Sequence, residues 1–172
     1  PINPMPNHKI VIENPKSTVV ANYQAEERTE TQYQSEAELE KALIQRLQGQ
    51  AYEYLPLHTE RDLISNLRTQ MEKLNGISFN DAEWKRFYTT ILANQNNGIV
   101  EKTRLIQEDH VQTFLFDNGE QKNIRIFDKK NVHNNSLQVI NQYIPEGGNR
   151  DNRYDVTILV NGLPLVHVEL KR

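Results

Sequence analysis

Between Ser35 and Leu92 apolar residues return every three or four positions, and beyond Val111 they begin to alternate. A period near 3.6 buries one stripe of a helix, whereas a period of two buries one face of a strand. Helices followed by a run of strands define a mixed α and β class, with a central sheet partly covered by the helices. A chain of 172 residues, 37% of them apolar, can bury a moderate core as one globular domain.

The helices are marked by their caps. SEAELEKALIQRLQG opens with Ser35 and Glu38 as a capping box, carries Leu39, Leu43 and Leu47, and reaches Gly49 as a stop. A short strand at Tyr52–Leu55 is followed by a second helix capped by Thr59, with Leu63, Leu67, Met71 and Leu74 on one stripe before Gly76. A third helix starts from Asn80 and buries Trp84, Phe87, Ile91 and Leu92. Such stripes are core by default. Further on, VQTFLF, DNGEQKN and IRIF read as a hairpin, SLQVINQYI as a longer strand, and YDVTILV and LVHVELK as the last two. Residues 1–34 hold four prolines and two short apolar runs, around Ile10–Ile12 and Val19–Ala21, and read as an arm pinned by one short strand. Residues 35–172 form the domain proper, with PEGGNRDNR at 145–153 its most loop-like interior segment.

Composition excludes several classes of function. With no cysteine there is no disulfide scaffold, thiolate zinc site or cysteine nucleophile, and a reducing cytoplasmic setting fits. The histidines at 8, 58, 110, 133 and 167 stand at no metal-ligand spacing. No run approaches the roughly 18 apolar residues needed to cross a bilayer, and the start has no signal-peptide core. There is no GxxxxGK[ST] loop, GxGxxG turn, GxSxG elbow or HExxH helix. The net charge of −3 is unevenly spread: residues 1–120 carry 12 basic against 18 acidic side chains, and residues 121–172 carry 8 against 5. Tight DNA binding by such a chain alone is not expected, because it has few cations to spare for phosphates.

One constellation remains near the end. Asp155 opens a strand, and Glu169 and Lys171 flank Leu170 on the next. The bare E-x-K pattern is cheap; Glu120 and Lys122, with Asp109 upstream, repeat it in a polar turn. Glu169 and Lys171 instead interrupt an apolar strand, where alternation puts Leu165, His167, Glu169 and Lys171 on one face and Val166, Val168 and Leu170 on the other. Whether Asp155 joins that face depends on the connection. A two-residue Asn161-Gly162 turn alone would place Asp155 opposite Val168, on the wrong face. One bulge corrects this, as does a three-residue Val160-Asn161-Gly162 loop with Gly162 left-handed, which sets Asp155 opposite His167. Pro164 also argues against an undisturbed ladder.

If the groups converge, Asp155, Glu169 and the Leu170 carbonyl offer hard oxygens to Mg²⁺, and Lys171 can orient water or stabilise charge on a phosphate. The plain alternative is an Asp155 turn cap with two ordinary charges on a half-solvated strand. His167 suits a packing or supporting position behind the ligands better than a place among them.

NRYDVTILVNGLPLVHVELKR closely resembles the nuclease motif of the R (HsdR) subunit of type I restriction enzymes, within the PD-(D/E)xK nuclease superfamily, and looks most like the type IC branch. SEAELEKALIQRL with AYEYL, FNDAEWKRF, IVEKTR and DKKN at 128–131 also resemble that subunit's N-terminal region, so the likeness covers about residues 30–172. It implies a restriction-endonuclease-like core, with Asp155 as the first catalytic acid, Glu169 the second and Lys171 the lysine. It further implies Mg²⁺ at that site, double-stranded DNA as substrate, methyltransferase (M) and specificity (S) subunits as partners, and ATP used by motor domains that this chain does not contain. The family's Q-x-x-x-Y helix after the E-x-K strand is also missing, so residues 1–172 alone are expected to cut slowly or not at all. Other expectations stay open: a repair or resolvase nuclease of the same superfamily, or a non-catalytic docking module.

Overall fold

The computed structural model describes residues 13–14, 17–18, 35–143 and 154–171. Contacts divide the chain into two units, Pro1–Tyr33 and Gln34–Arg172. In the first, β1 (Glu13–Asn14) pairs antiparallel with β2 (Ser17–Thr18). The apolar runs at 10–12 and 19–21 and the loop at 145–153 lie outside the described residues.

The second unit begins with α1 (Glu36–Gln48), where Ser35 and Glu38 form the capping box in both directions. It stops at Gly49 as expected; Gly49 stays right-handed, and Ala51 takes the positive φ, 68°, that turns the chain into β3 (Glu53–Tyr54). Thr59 caps α2 (Glu60–Asn75) by accepting the Asp62 N–H, and Gly76 closes it in the left-handed conformation. Asn80 and Glu83 box the start of α3 (Asp81–Phe87), which runs on into a wider π-type turn over Tyr88–Leu92. A further helix, α4 (Ile99–Gln107), is absent from the sequence reading. Its N-cap is Gly98, which has no side chain to bond the first turn, so the cap signal that marks the other helices is missing.

The strands are β4 (Val111–Leu115), β5 (Gln121–Arg125), β6 (Leu137–Tyr143), β7 (Tyr154–Val160) and β8 (Leu163–Val168). β4 and β5 make their own two-stranded sheet, and Gln121–Asn123 belong to the strand rather than to the turn. The main sheet has the order β3-β6-β7-β8, with β3 parallel to β6 and the other pairs antiparallel.

Helices cover both faces of this sheet. Leu47 of α1, with Leu43 and Ile44, packs on Val139 and Val156. Leu63 of α2 packs on Ile140 and Leu159 of the opposite face. α2 also serves a second core, where Leu67 and Met71 meet Phe79, Trp84, Phe87 and the hairpin residues Phe114, Phe116 and Ile124. Phe79 lies at its centre, with the rings of Phe87, Phe114 and Phe116 at 5.2, 5.7 and 5.6 Å. Aromatic pairs of this kind add roughly 0.5–1.5 kcal/mol each beyond area burial. No helix of the described residues is long and apolar enough to cross a membrane.

Candidate active site

The last hairpin fixes the register of the candidate residues. Asn161 (φ 51°) and Gly162 (φ 82°) form a two-residue turn with Val160 opposite Leu163, both φ values positive as a tight hairpin turn requires. The turn is wired in place. The Asn161 side chain accepts the Ser136 N–H at 2.8 Å and donates to the Ile126 carbonyl and to Asn135 Oδ1 at 3.0 and 2.8 Å. Any side chain at Gly162 would set its Cβ 2.6 Å from Leu67 Cα.

From a regular ladder, this turn would leave Asp155 facing Val168. Instead the register shifts between Ile158 and Leu159: Leu159 pairs with Pro164, but Ile158 pairs with Val166, so Leu165 is the extra residue of a bulge. Thr157 then faces His167 and Val156 faces Val168. Continued by one step, the register sets Glu169 opposite Asp155. Of the two connections the sequence allows, the structure takes the bulge; the three-residue loop with Asp155 opposite His167 is not formed, because the wiring of Asn161 holds the tight turn.

Alternation puts Asp155 with Thr157 and Leu159 on the α2 face of β7, the face that His167 shares through its pairing with Thr157. The Leu170 N–H donates to Asp155 Oδ2 at 2.7 Å, tying the segment after β8 back to β7. Lys171 Nζ lies 3.3 Å from Glu169 Oε1, and both side chains are largely solvent-exposed. The decoy pair closes on itself where the turn enters β5, Lys122 Nζ being 3.1 Å from Glu120 Oε2. Among the described residues no three His, Cys, Asp or Glu side chains gather in one cluster. Asp155 and Glu169 carry carboxylate oxygens, the donor type that Mg²⁺ takes.

His167 is held from two sides. Its Nδ1 is 3.0 Å from the hydroxyl of buried Thr157, and the Tyr154 ring stacks on it at 4.1 Å. Burial pushes its pKa below the usual histidine value. Sequence reasoning missed Thr157 and Tyr154, whose contacts with His167 appear only once the two strands are paired. It also missed Glu40, a carboxylate on the inward stripe of α1 that binds the side chains of Asn141, at 2.6 Å, and Gln142 of β6. The signal available was an acid three and four positions before Leu43 and Ile44.

A family model described as the type I restriction enzyme R protein N terminus matches residues 33–172. The chain belongs to this family. The EcoprrI type I restriction enzyme endonuclease subunit of Escherichia coli is 44% identical over 165 residues, which cover 95% of this chain and 52% of that protein. Type I endonuclease subunits of Staphylococcus saprophyticus and Staphylococcus aureus strain MSSA476 are 34% and 35% identical over 145 residues, 81% of this chain and 15% of theirs. The chain thus spans about half of the first relative and a small part of the others. For an R protein N terminus, the mixed α and β architecture agrees with the expected restriction-endonuclease-like class.

Proposed function

We propose that this chain is the endonuclease region of a type I restriction R subunit, cleaving double-stranded DNA with Mg²⁺ at Asp155, Glu169 and Lys171. The observation that supports the reading is the bulged register of β7 and β8, which, carried one residue past Val168, would turn the side chains of positions 155 and 169 to one face. Bound between these carboxylates and the Leu170 carbonyl, Mg²⁺ would supply Lewis-acid polarisation of the phosphate and a lowered pKa for attacking water. The protein's part is positional and electrostatic. Asp155 keeps one carboxylate oxygen on the Leu170 N–H, which fixes its plane and holds Leu170 beside it. Glu169 restrains the Lys171 ammonium, leaving it near where negative charge grows on the phosphate. His167 lies behind these groups as a support held by Thr157 and Tyr154.

The remaining parts of the proposal rest on the family. M and S subunits supply the methyltransferase and sequence recognition, and ATP drives translocation through motor domains before remote cleavage. A chain with a net charge of −3 suits this division, since most phosphate contacts then lie elsewhere. The type IC branch is part of the same proposal, and the cytoplasm is the compartment it implies. The test is an intact R subunit assembled with M and S subunits and carrying Asp155→Ala, Glu169→Ala or Lys171→Ala. Each variant is expected to lose DNA cleavage and keep ATP hydrolysis; undiminished cutting by Glu169→Ala overturns the assignment.

A further inference from the structure

In β6, Asn141 faces Val156 and Tyr143 faces Tyr154, so Gln142 is the residue set opposite Asp155. Strand alternation would send the side chains of Asn141 and Gln142 to opposite faces, Asn141 towards α1 and Gln142 towards Asp155. They go to the same acceptor instead. Asn141 Nδ2 donates to Glu40 Oε1 at 2.6 Å and Gln142 Nε2 donates to Glu40 Oε2. The backbone of Gln142 is left-handed, φ 56°, a conformation side-chain-bearing residues seldom take inside a strand. Tyr54 donates its hydroxyl to Asn141 Oδ1 at 2.9 Å, which fixes the amide so that its N–H₂ must meet the Glu40 carboxylate.

We infer that Glu40 is a positioning residue that holds Gln142 left-handed and so keeps its amide away from Asp155, leaving that flank of the carboxylate clear for a cation. In a regular strand the Gln142 Cβ would stand about 5 Å from that of Asp155, and the amide could donate to the carboxylate. A charge-assisted hydrogen bond there would compete with a metal ion for the same oxygen. Glu40 acts on the site through Gln142 and touches neither the cation nor DNA. The inference rests on the cation reading of Asp155 proposed above.

The test is Mn²⁺ titration of the 172-residue chain by calorimetry, with thermal unfolding followed by circular dichroism on the same samples. Glu40→Ala is expected to weaken Mn²⁺ binding by about tenfold, the scale of one competing hydrogen bond to a charged group. Adding Gln142→Gly to it is expected to restore wild-type affinity, because glycine accepts the left-handed backbone and carries no amide. Glu40→Gln, which keeps the side-chain shape but sets an N–H₂ group against one of the two amides, is expected to weaken binding in the same direction, and serves if Glu40→Ala does not fold. The inference is overturned by wild-type affinity in folded Glu40→Ala, by a double variant as weak as the single one, or by wild-type affinity in Glu40→Gln. If the unaltered chain takes up no Mn²⁺, or Asp155→Ala takes it up equally well, the cation reading has failed and this inference falls with it.

Discussion

The backbone N–H of Leu170 is bonded to Oδ2 of Asp155 at 2.7 Å, so the first acid of the candidate site also fastens the segment that carries the second. The β7–β8 ladder itself ends at Val156 and Val168, and this bond extends the attachment past it. The two duties can be separated. Asp155→Asn keeps an oxygen acceptor for Leu170 but loses the charge, whereas Asp155→Ala loses both. Hydrogen exchange at the Leu170 amide should stay near the wild-type rate in Asp155→Asn and accelerate at least about tenfold in Asp155→Ala. Both variants should lose Mn²⁺ affinity. Equal exchange in all three proteins would show that Asp155 does not hold this segment.

The bulge makes an asymmetric prediction. Deleting Leu165 removes the extra residue, so Val166, His167 and Val168 keep their partners Ile158, Thr157 and Val156 along a regular ladder that points Glu169 the same way. That deletion is expected to fold and to bind Mn²⁺ within about threefold of wild type. Inserting one alanine after Val166 turns Glu169 to the opposite face and is expected to abolish binding. Calorimetry on the two variants separates them; loss of binding in the deletion alone would mean that the bulge itself, not the register, is required.

Gly162 is constrained twice, by its φ of 82° and by the 2.6 Å approach of a would-be Cβ to the Leu67 backbone. Gly162→Ala should therefore destabilise the chain by more than about 2 kcal/mol, combining left-handed strain with a clash against helix α2. Urea unfolding monitored by Trp84 fluorescence measures it. A change below about 0.5 kcal/mol would show that the turn can move away from α2.

Asp128 gives the fold a pH dependence. Its carboxylate accepts the N–H groups of Asn131 and Lys130 and the side-chain amide of Asn134, with Arg125 nearby. The Asn131 N–H, followed by the Asn134 amide, holds its pKa below the ordinary carboxylate value. The folded state then binds a proton less readily than the unfolded chain. The stabilisation is present above the unfolded pKa, near about 4, and is lost as pH falls through the lower folded value. Melting temperatures between about pH 6 and about pH 3 should fall more steeply for the wild type than for Asp128→Asn. Parallel curves would remove Asp128 from the account of acid unfolding.

Cap chemistry is local, and so it was legible: Ser35 with Glu38, Thr59, and Asn80 with Glu83 each mark a helix start that the structure contains. The pairing of β7 and β8 was legible from alternation, although β8 ends at Val168 and does not run on through Glu169 and Lys171 as expected, and Pro164 signalled an irregular ladder where the register does shift. The choice between a bulge and a longer loop was not. It depends on Asn161 reaching Ser136, Ile126 and Asn135, partners between 25 and 35 positions away that only the tertiary fold brings together. Glu40 was hidden for a related reason: an acid on a helix stripe shows no purpose until Asn141 and Gln142 are set beneath it. α4 escaped because it opens on Gly98, which offers no side-chain cap of the kind that marks the other helix starts.

The most direct measurement is the anomalous difference density of crystals of this chain grown with Mn²⁺. The account predicts one peak with a carboxylate oxygen of Asp155 and one of Glu169 both within about 2.2 Å. A fully occupied ion held by neither carboxylate, or by one of them with the other turned to the far side of the sheet, would contradict it.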